Sequence, residues 1–155
     1  MFQRINRFFK ALLVVTFFGD QALASNLETI SKVTSSSVLI RTHLIHGFAE
    51  DGEATGRWRG SGFVIDKKRG WIVTNAHVAG HGVATIKISF VDSDEKLVAR
   101  RLFVDTKHDV AVLHVDPALI PETVKQLAVD CEYELRRGES VLAIGHPKGH
   151  DFTST

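Results

Sequence analysis

An all-β fold, barrel or sandwich, is the architecture this sequence predicts, on three observations. At least six short runs are apolar or alternate between apolar and polar, turn-forming residues separate them, and no long segment has helical periodicity. Internal repeats and low-complexity segments are absent. Each element follows from the residues that compose it.

Residues 1–24 are set aside as a secretory signal. Arg4, Arg7 and Lys10 make a basic start, Ala11 to Phe18 supply an apolar run, and Ala22-Leu23-Ala24 is a small-x-small cleavage site before Ser25. The run is well short of the roughly 20 residues that span a bilayer, and Lys10 and Asp20 bracket it. Cleavage after Ala24, export to a periplasm or the exterior, and no stable membrane insertion afterwards are therefore expected. The brevity of the signal is bacterial in character.

Residues 25–36 form an N-terminal arm, where Leu27, Ile30 and Val33 stand at helical spacing and predict a short helix or an ordered extension. Ser37 to Leu44, SVLIRTHL, is rich in β-branched and leucine residues and predicts the first strand. His46 to Arg59 carries Gly47, Gly52 and Gly56 with Glu50, Asp51 and Glu53, the composition of a long mobile loop. GSGFVID from Gly60 and WIVTNAHV from Trp71 flank the charged turn Lys67-Lys68-Arg69-Gly70 and predict a hairpin. Val83 to Phe90 alternates, with Ala84, Ile86, Ile88 and Phe90 on one face. Leu97 to Val104 predicts another strand, and Asp109 to Val115, DVAVLHV, is apolar enough on both faces to lie deep in a sheet. A loop from Pro117 to Pro121 and a connector with Leu127 and Val129 lead to ESVLAIGHPKG, a strand running into a Gly-Pro-Gly turn.

Removing the signal leaves about 131 residues, enough for one compact domain at 37–155 behind its arm. The 19 basic and 18 acidic residues fall to 16 and 17 when Arg4, Arg7, Lys10 and Asp20 leave. That near-neutrality carries no electrostatic footprint for nucleic acid. Cys131 is the only cysteine, so the chain has no internal disulfide and depends on packing.

Hydrolytic chemistry by a serine or cysteine needs a base that titrates near neutral pH, an acid to orient it and a nucleophile within reach. Among eight histidines, His77 stands out, because it ends the apolar run WIVTNAHV, where a rigid backbone could aim its ring into a cleft. Asp109 is its matching acid: at the head of DVAVLHV it would be drawn partly into the barrel, where an unpartnered carboxylate is costly and a histidine would offset that cost. Taken singly, each also has a plain structural reading, as a histidine at a strand end and an aspartate in a turn. His77 and His81, His108 and His114, and His146 and His150 stand four, six and four apart. None lies in a helical pattern or an HExxH motif, so no metal site is expected. Ser140 and Cys131 are bystanders rather than nucleophiles.

GSGFVID, WIVTNAHV, KHDVAVLHVD and GESVLAIGHPKG, in this order and at these separations, resemble the first barrel of the trypsin-like serine proteases of the bacterial HtrA/Deg type, over roughly Ser37 to Thr155. The resemblance implies a six-stranded antiparallel barrel, His77 as general base and Asp109 as the carboxylate that orients it. It also implies that Gly60-Ser61-Gly62 packs near the base and that GHPKG leads towards a second barrel. Ala76 stands where the family more often has a second asparagine. No Gly-x-Ser-Gly-Gly-like run occurs anywhere in the 155 residues, so the chain carries no nucleophile, oxyanion loop or specificity pocket of that kind.

Two readings follow. In the first the chain is part of a serine endopeptidase that hydrolyses exported or misfolded proteins without metal or organic cofactor, is cut short before its serine and is inactive alone. In the second it is a secreted, catalytically inactive half-barrel or pseudoprotease that binds protein. Either way its partners are proteins or peptides, and the barrel face that would meet a second barrel invites association or homo-oligomers.

Overall fold

The computed structural model describes residues 27–47, 55–91, 93, 95–134, 136–139, 141, 143–145 and 153–154. The chain divides between Lys32 and Val33. The predicted signal lies outside the described residues. Residues 27–36 are helical (α1), as the spacing of Leu27, Ile30 and Val33 predicts, and the Ser37 hydroxyl donates to Val33 O at 2.8 Å where the helix gives way to strand.

Six strands close into an antiparallel barrel: β1 (Ser37–His46), β2 (Gly56–Asp66), β3 (Trp71–Thr74), β4 (Val83–Phe90), β5 (Leu97–Asp105) and β6 (Val110–His114). Their order around the barrel is β1-β2-β3-β6-β5-β4, with β4 pairing back onto β1. Closure leaves no free edge among these strands. A one-turn helix, α2 (Ala76–Ala79), follows β3, and a 3-10 turn (Pro117–Leu119) follows β6. Beyond the connector, β7 (Ile144–Gly145) pairs with β8 (Thr153–Ser154).

The side-chain period of two decides what fills the barrel. Val38 and Ile40 of β1, Val64 of β2, Ile72 of β3, Ile86 and Ile88 of β4, Leu97 and Ala99 of β5, and Ala111 and Leu113 of β6 make one buried cluster. Burying a side chain such as Ile40, Ile72, Ile88 or Leu113 contributes roughly 1.5–3 kcal/mol relative to exposure. The β2–β3 turn is closed by Gly70 at φ 67°, where a Cβ would stand 2.1 Å from Val115 O. Lys67 Nζ ties the same turn to Pro121 O and Glu122 O at 2.9 and 3.1 Å.

Four expectations change. β2 begins at Gly56, so residues 56–59 belong to the sheet and not to the loop; the loop's own residues 48–54 lie outside the described set. β3 stops at Thr74, so His77 sits in α2 and not at a strand end. β6 is buried on one face only: Ala111, Leu113 and Val115 point inward, while Val110 is exposed and Val112 half-buried, because a barrel strand has only one interior face. Of ESVLAIGHPKG, only Ile144–Gly145 is strand among the described residues.

Candidate active site

The site stands on the rim of the barrel where β3 ends and β6 begins. Thr74, the last residue of β3, is buried, and its hydroxyl donates to Ser61 O on β2 at 2.7 Å. Asn75 then turns extended (φ −78°, ψ 149°) and starts α2 without capping it through its side chain. Backbone bonds from Val78 N and Ala79 N to Asn75 O, both 3.1 Å, and from Gly80 N to Ala76 O, 2.9 Å, close the single turn.

One turn of helix has almost no stability of its own, so the barrel must hold it. Val78 O accepts from the buried Thr42 hydroxyl at 2.7 Å and from the Trp58 indole N–H at 2.9 Å. The Val78 side chain wedges over Gly60, where a Cβ would lie 2.5 Å from both of its methyl carbons. Arg101 on β5 donates through its two terminal nitrogens to Gly80 O and Gly82 O, pinning the exit from the turn.

His77 and Asp109 meet on this platform. The His77 backbone N–H donates to Asp109 Oδ1 at 3.0 Å, and Nδ1 lies 3.0 and 2.8 Å from Oδ1 and Oδ2. An ionised carboxylate only accepts, so Nδ1 carries the proton and Nε2 keeps its lone pair for chemistry. The His77 side chain is 71% exposed and that of Asp109 44%. The expectation that Asp109 would be drawn partly into the barrel therefore gives way to a half-exposed carboxylate on the rim. Asp109 ends the preceding turn at φ 52°, and β6 starts only at Val110, which leaves the carboxylate there. Aspartate is among the few side chains that tolerate this left-handed backbone.

The His77 backbone N–H is the main influence holding the Asp109 carboxyl below its ordinary value. Partial burial pushes the other way, while the His77 ring, by hydrogen bond and charge, and the Asn75 amide add to the depression. Asn75 Nδ2 donates to Asp109 Oδ2 at 3.1 Å and to Asp109 O at 3.2 Å, so one amide grips both the carboxylate and the unusual backbone beneath it. Beside the pair runs a groove of about 300 Å³ whose apolar lining includes Phe63, Val73, Val110, Leu127 and Ile144.

The structure thus brings together the two residues singled out from sequence and adds Asn75, Thr42, Trp58 and Arg101. Two of these carried a legible signal. Thr42 and Arg101 occupy inward positions of their strands, where a polar group needs a partner. Among the described residues, two further histidines pair elsewhere. His108 Nδ1 lies 2.7 Å from Asp105 Oδ2, and this side-chain bond is the main cause lowering the Asp105 carboxyl. His114 accepts from Arg100 Nε at 3.3 Å. Among the described residues no cluster of three or more His, Cys, Asp or Glu side chains is placed to hold a metal, and Cys131 is exposed. Ser140, His146 and His150 lie outside them.

Comparison with known proteins places these features in company. A family described as trypsin-like peptidase domain matches residues 60–155. A probable periplasmic serine endoprotease, DegP-like, from Halomonas elongata is 43% identical over 96 residues, covering 62% of this chain and 19% of its own. The pro-apoptotic serine protease NMA111 of Debaryomyces hansenii is 38% identical over 139 residues, covering 86% of this chain and 14% of its own. Among solved structures, the active form of the Rv3671c protease from M. tuberculosis superposes with a TM-score of 0.62 at 25% identity, covering 81% of this chain and 48% of its own. The chain spans less than a quarter of the length of either of these curated relatives.

Proposed function

Because the chain belongs to the trypsin-like peptidase family, with relatives of the HtrA/Deg type, we propose that it supplies the base and the orienting acid of a serine-type endopeptidase. The observation that carries this reading is the Asp109 carboxylate lying 2.8 Å from His77 Nδ1, which leaves Nε2 as the free lone pair. In the reaction, Nε2 takes the proton of a serine hydroxyl as its oxygen attacks a peptide carbonyl. The imidazolium so formed keeps its Nδ1–H on Asp109, whose negative charge stabilises it. It then gives the Nε2 proton to the departing amine, and a water deprotonated the same way releases the acyl group. Within these 155 residues no Gly-x-Ser-Gly-Gly-like serine is present, so the attacking serine belongs to sequence outside them.

The substrates in this reading are exported or misfolded proteins, reached after removal of residues 1–24, in a periplasm or outside the cell. The names of the relatives support a periplasmic setting on the bacterial side only. The apolar groove beside Asp109 supports association with a second barrel or another copy.

A fluorophosphonate serine probe tests the proposal. The 155-residue chain should remain unlabelled, and the protein encoded by the complete gene should be labelled in a manner abolished by His77→Ala. A complete protein that stays unlabelled while folded would overturn the peptidase reading in favour of an inactive, protein-binding barrel.

A further inference from the structure

The outward side chains of β1, β2 and β4 form a grid of positive charge on the side wall of the barrel. The strand registers set Arg41 opposite Arg59 on one side and opposite Lys87 on the other, so three cations share one rung. The next rung sets His43 between Arg57 and Thr85. Arg57, Arg59, His43 and Lys87 are exposed, and Arg41 is half-buried with Nη1 donating to Ser89 Oγ at 2.8 Å. These residues border a cleft of about 560 Å³ that, among the described residues, no carboxylate lines. None of the four formal cations forms an ion pair with a described residue.

Like charges directly opposite in a sheet repel and destabilise the pair. Here two such pairs share Arg41, and nothing in the packing calls for cations, because these side chains leave the core. An anion in the cleft would turn both repulsions into bridged attractions.

We propose that this cleft binds an extended acidic segment of a polypeptide. Along each strand the outward side chains repeat every two residues, about 6.7 Å, the repeat of alternate side chains in an extended peptide. Carboxylates at alternate positions of a segment lying along β2 would therefore stay in step with Arg57 and Arg59. Three of the four cations are arginines, whose planar forks match carboxylates two bonds at a time. A single-stranded nucleic acid fits less well, since it needs rings to stack on. Of the two rings bordering the cleft among the described residues, Trp58 has its indole N–H tied to Val78 O and His43 offers only a single small imidazole, too little for successive bases to stack on. That the bound segment belongs to a protein awaiting cleavage rests on the peptidase reading; the binding itself does not.

The test is fluorescence anisotropy of a labelled decapeptide of alternating Glu and Ser, with its Gln counterpart, a ten-nucleotide oligothymidylate and anionic lipid vesicles as competitors. The acidic peptide should bind, the Gln peptide should not, and affinity should fall as salt rises. Combining Arg57→Gln, Arg59→Gln and Lys87→Gln should weaken binding by about tenfold or more. The same charge removed at exposed positions elsewhere, Lys68→Gln, Lys107→Gln and Lys125→Gln, should leave it unchanged. A melting curve checks that the triple variant is folded, and Lys87→Gln alone serves if it is not. Equal loss in both triple variants would overturn the proposal. So would tighter binding of the oligonucleotide or vesicles, or binding that appears only after Glu50, Asp51 and Glu53 are neutralised. His77→Ala should retain full binding, so failure here and failure of the peptidase reading are read separately.

Discussion

Gly60→Ala attacks the candidate site through packing alone, without touching a polar group. The new methyl would lie 2.5 Å from both Cγ1 and Cγ2 of Val78, against a normal carbon–carbon contact of about 3.5–4.0 Å. Val78 is buried, and with a methyl on each side of the clash no rotation of its stiff χ1 relieves it. The one-turn helix must then lift by about 1 Å, against the bonds by which Thr42 and Trp58 hold Val78 O. Overpacking of this kind costs about 1–3 kcal/mol, which for a domain of this size lowers Tm by roughly 3–15 °C. His77 precedes Val78, so the same lift pulls its ring away from Asp109. Thermal melts give the first quantity, and the His77 ring signals in a nitrogen-edited NMR spectrum give the second. Val78→Ala in the Gly60→Ala background should recover much of both losses, because it removes the clashing methyls. An unchanged Tm together with unmoved His77 signals would show that Gly60 is not the seat of α2.

Thr42→Val keeps the shape and removes the 2.7 Å bond to Val78 O while Trp58 still satisfies that oxygen; unfolding in urea should show a loss of about 1 kcal/mol, and no loss would mean that the hydroxyl does not anchor the helix. Asn75→Ala should raise the Asp109 carboxyl back towards 3.8, measured by carbon-detected titration, because it deletes the amide that favours the charged form; an unmoved value would free Asn75 of any orienting role. Asp109 has a lowered pKa in the fold, so its contribution to stability is complete above the unfolded value near 3.8 and is lost as pH falls through the lowered folded value. The hydrogen bond at Nδ1 should accordingly persist to pH values below 3.8 and vanish on further acidification, and its loss well above that pH would contradict the assignment.

The barrel was largely legible because its strands are short apolar or alternating runs cut off by turn-forming residues, with the period of two plain in Val83 to Phe90. β2 was half hidden, since its first residues, Gly56 to Gly60, alternate arginines with tryptophan and glycine and carry no apolar face. α2 was hidden for the opposite reason: WIVTNAHVA is apolar nearly throughout, and only Asn75 marks where the strand gives way to a turn of helix. His77 and Asp109 stand 32 residues apart; the cost of an unpartnered carboxylate nominated the pair, and the family resemblance added the role of each. What pairing by family did not supply is the support beneath them. Asn75 grips Asp109 across 34 residues, a contact that leaves little local trace, and although Thr42 was marked by its inward place on β1, the α2 carbonyl it reaches 36 residues away was not. The expectation that Asp109 would be drawn into the barrel treated burial as the force that pairs it. The carboxylate is instead held on the rim by directed hydrogen bonds from His77 and Asn75.

The most direct measurement is the tautomer of His77, read from the two ring nitrogen shifts of the labelled chain above the pH at which the ring protonates. The proton should be fixed on Nδ1 and Nε2 bare, with that preference lost in Asp109→Asn. A ring carrying its proton on Nε2, or one indifferent to Asp109→Asn, would leave the pair unable to act as a serine's base and would contradict the peptidase reading.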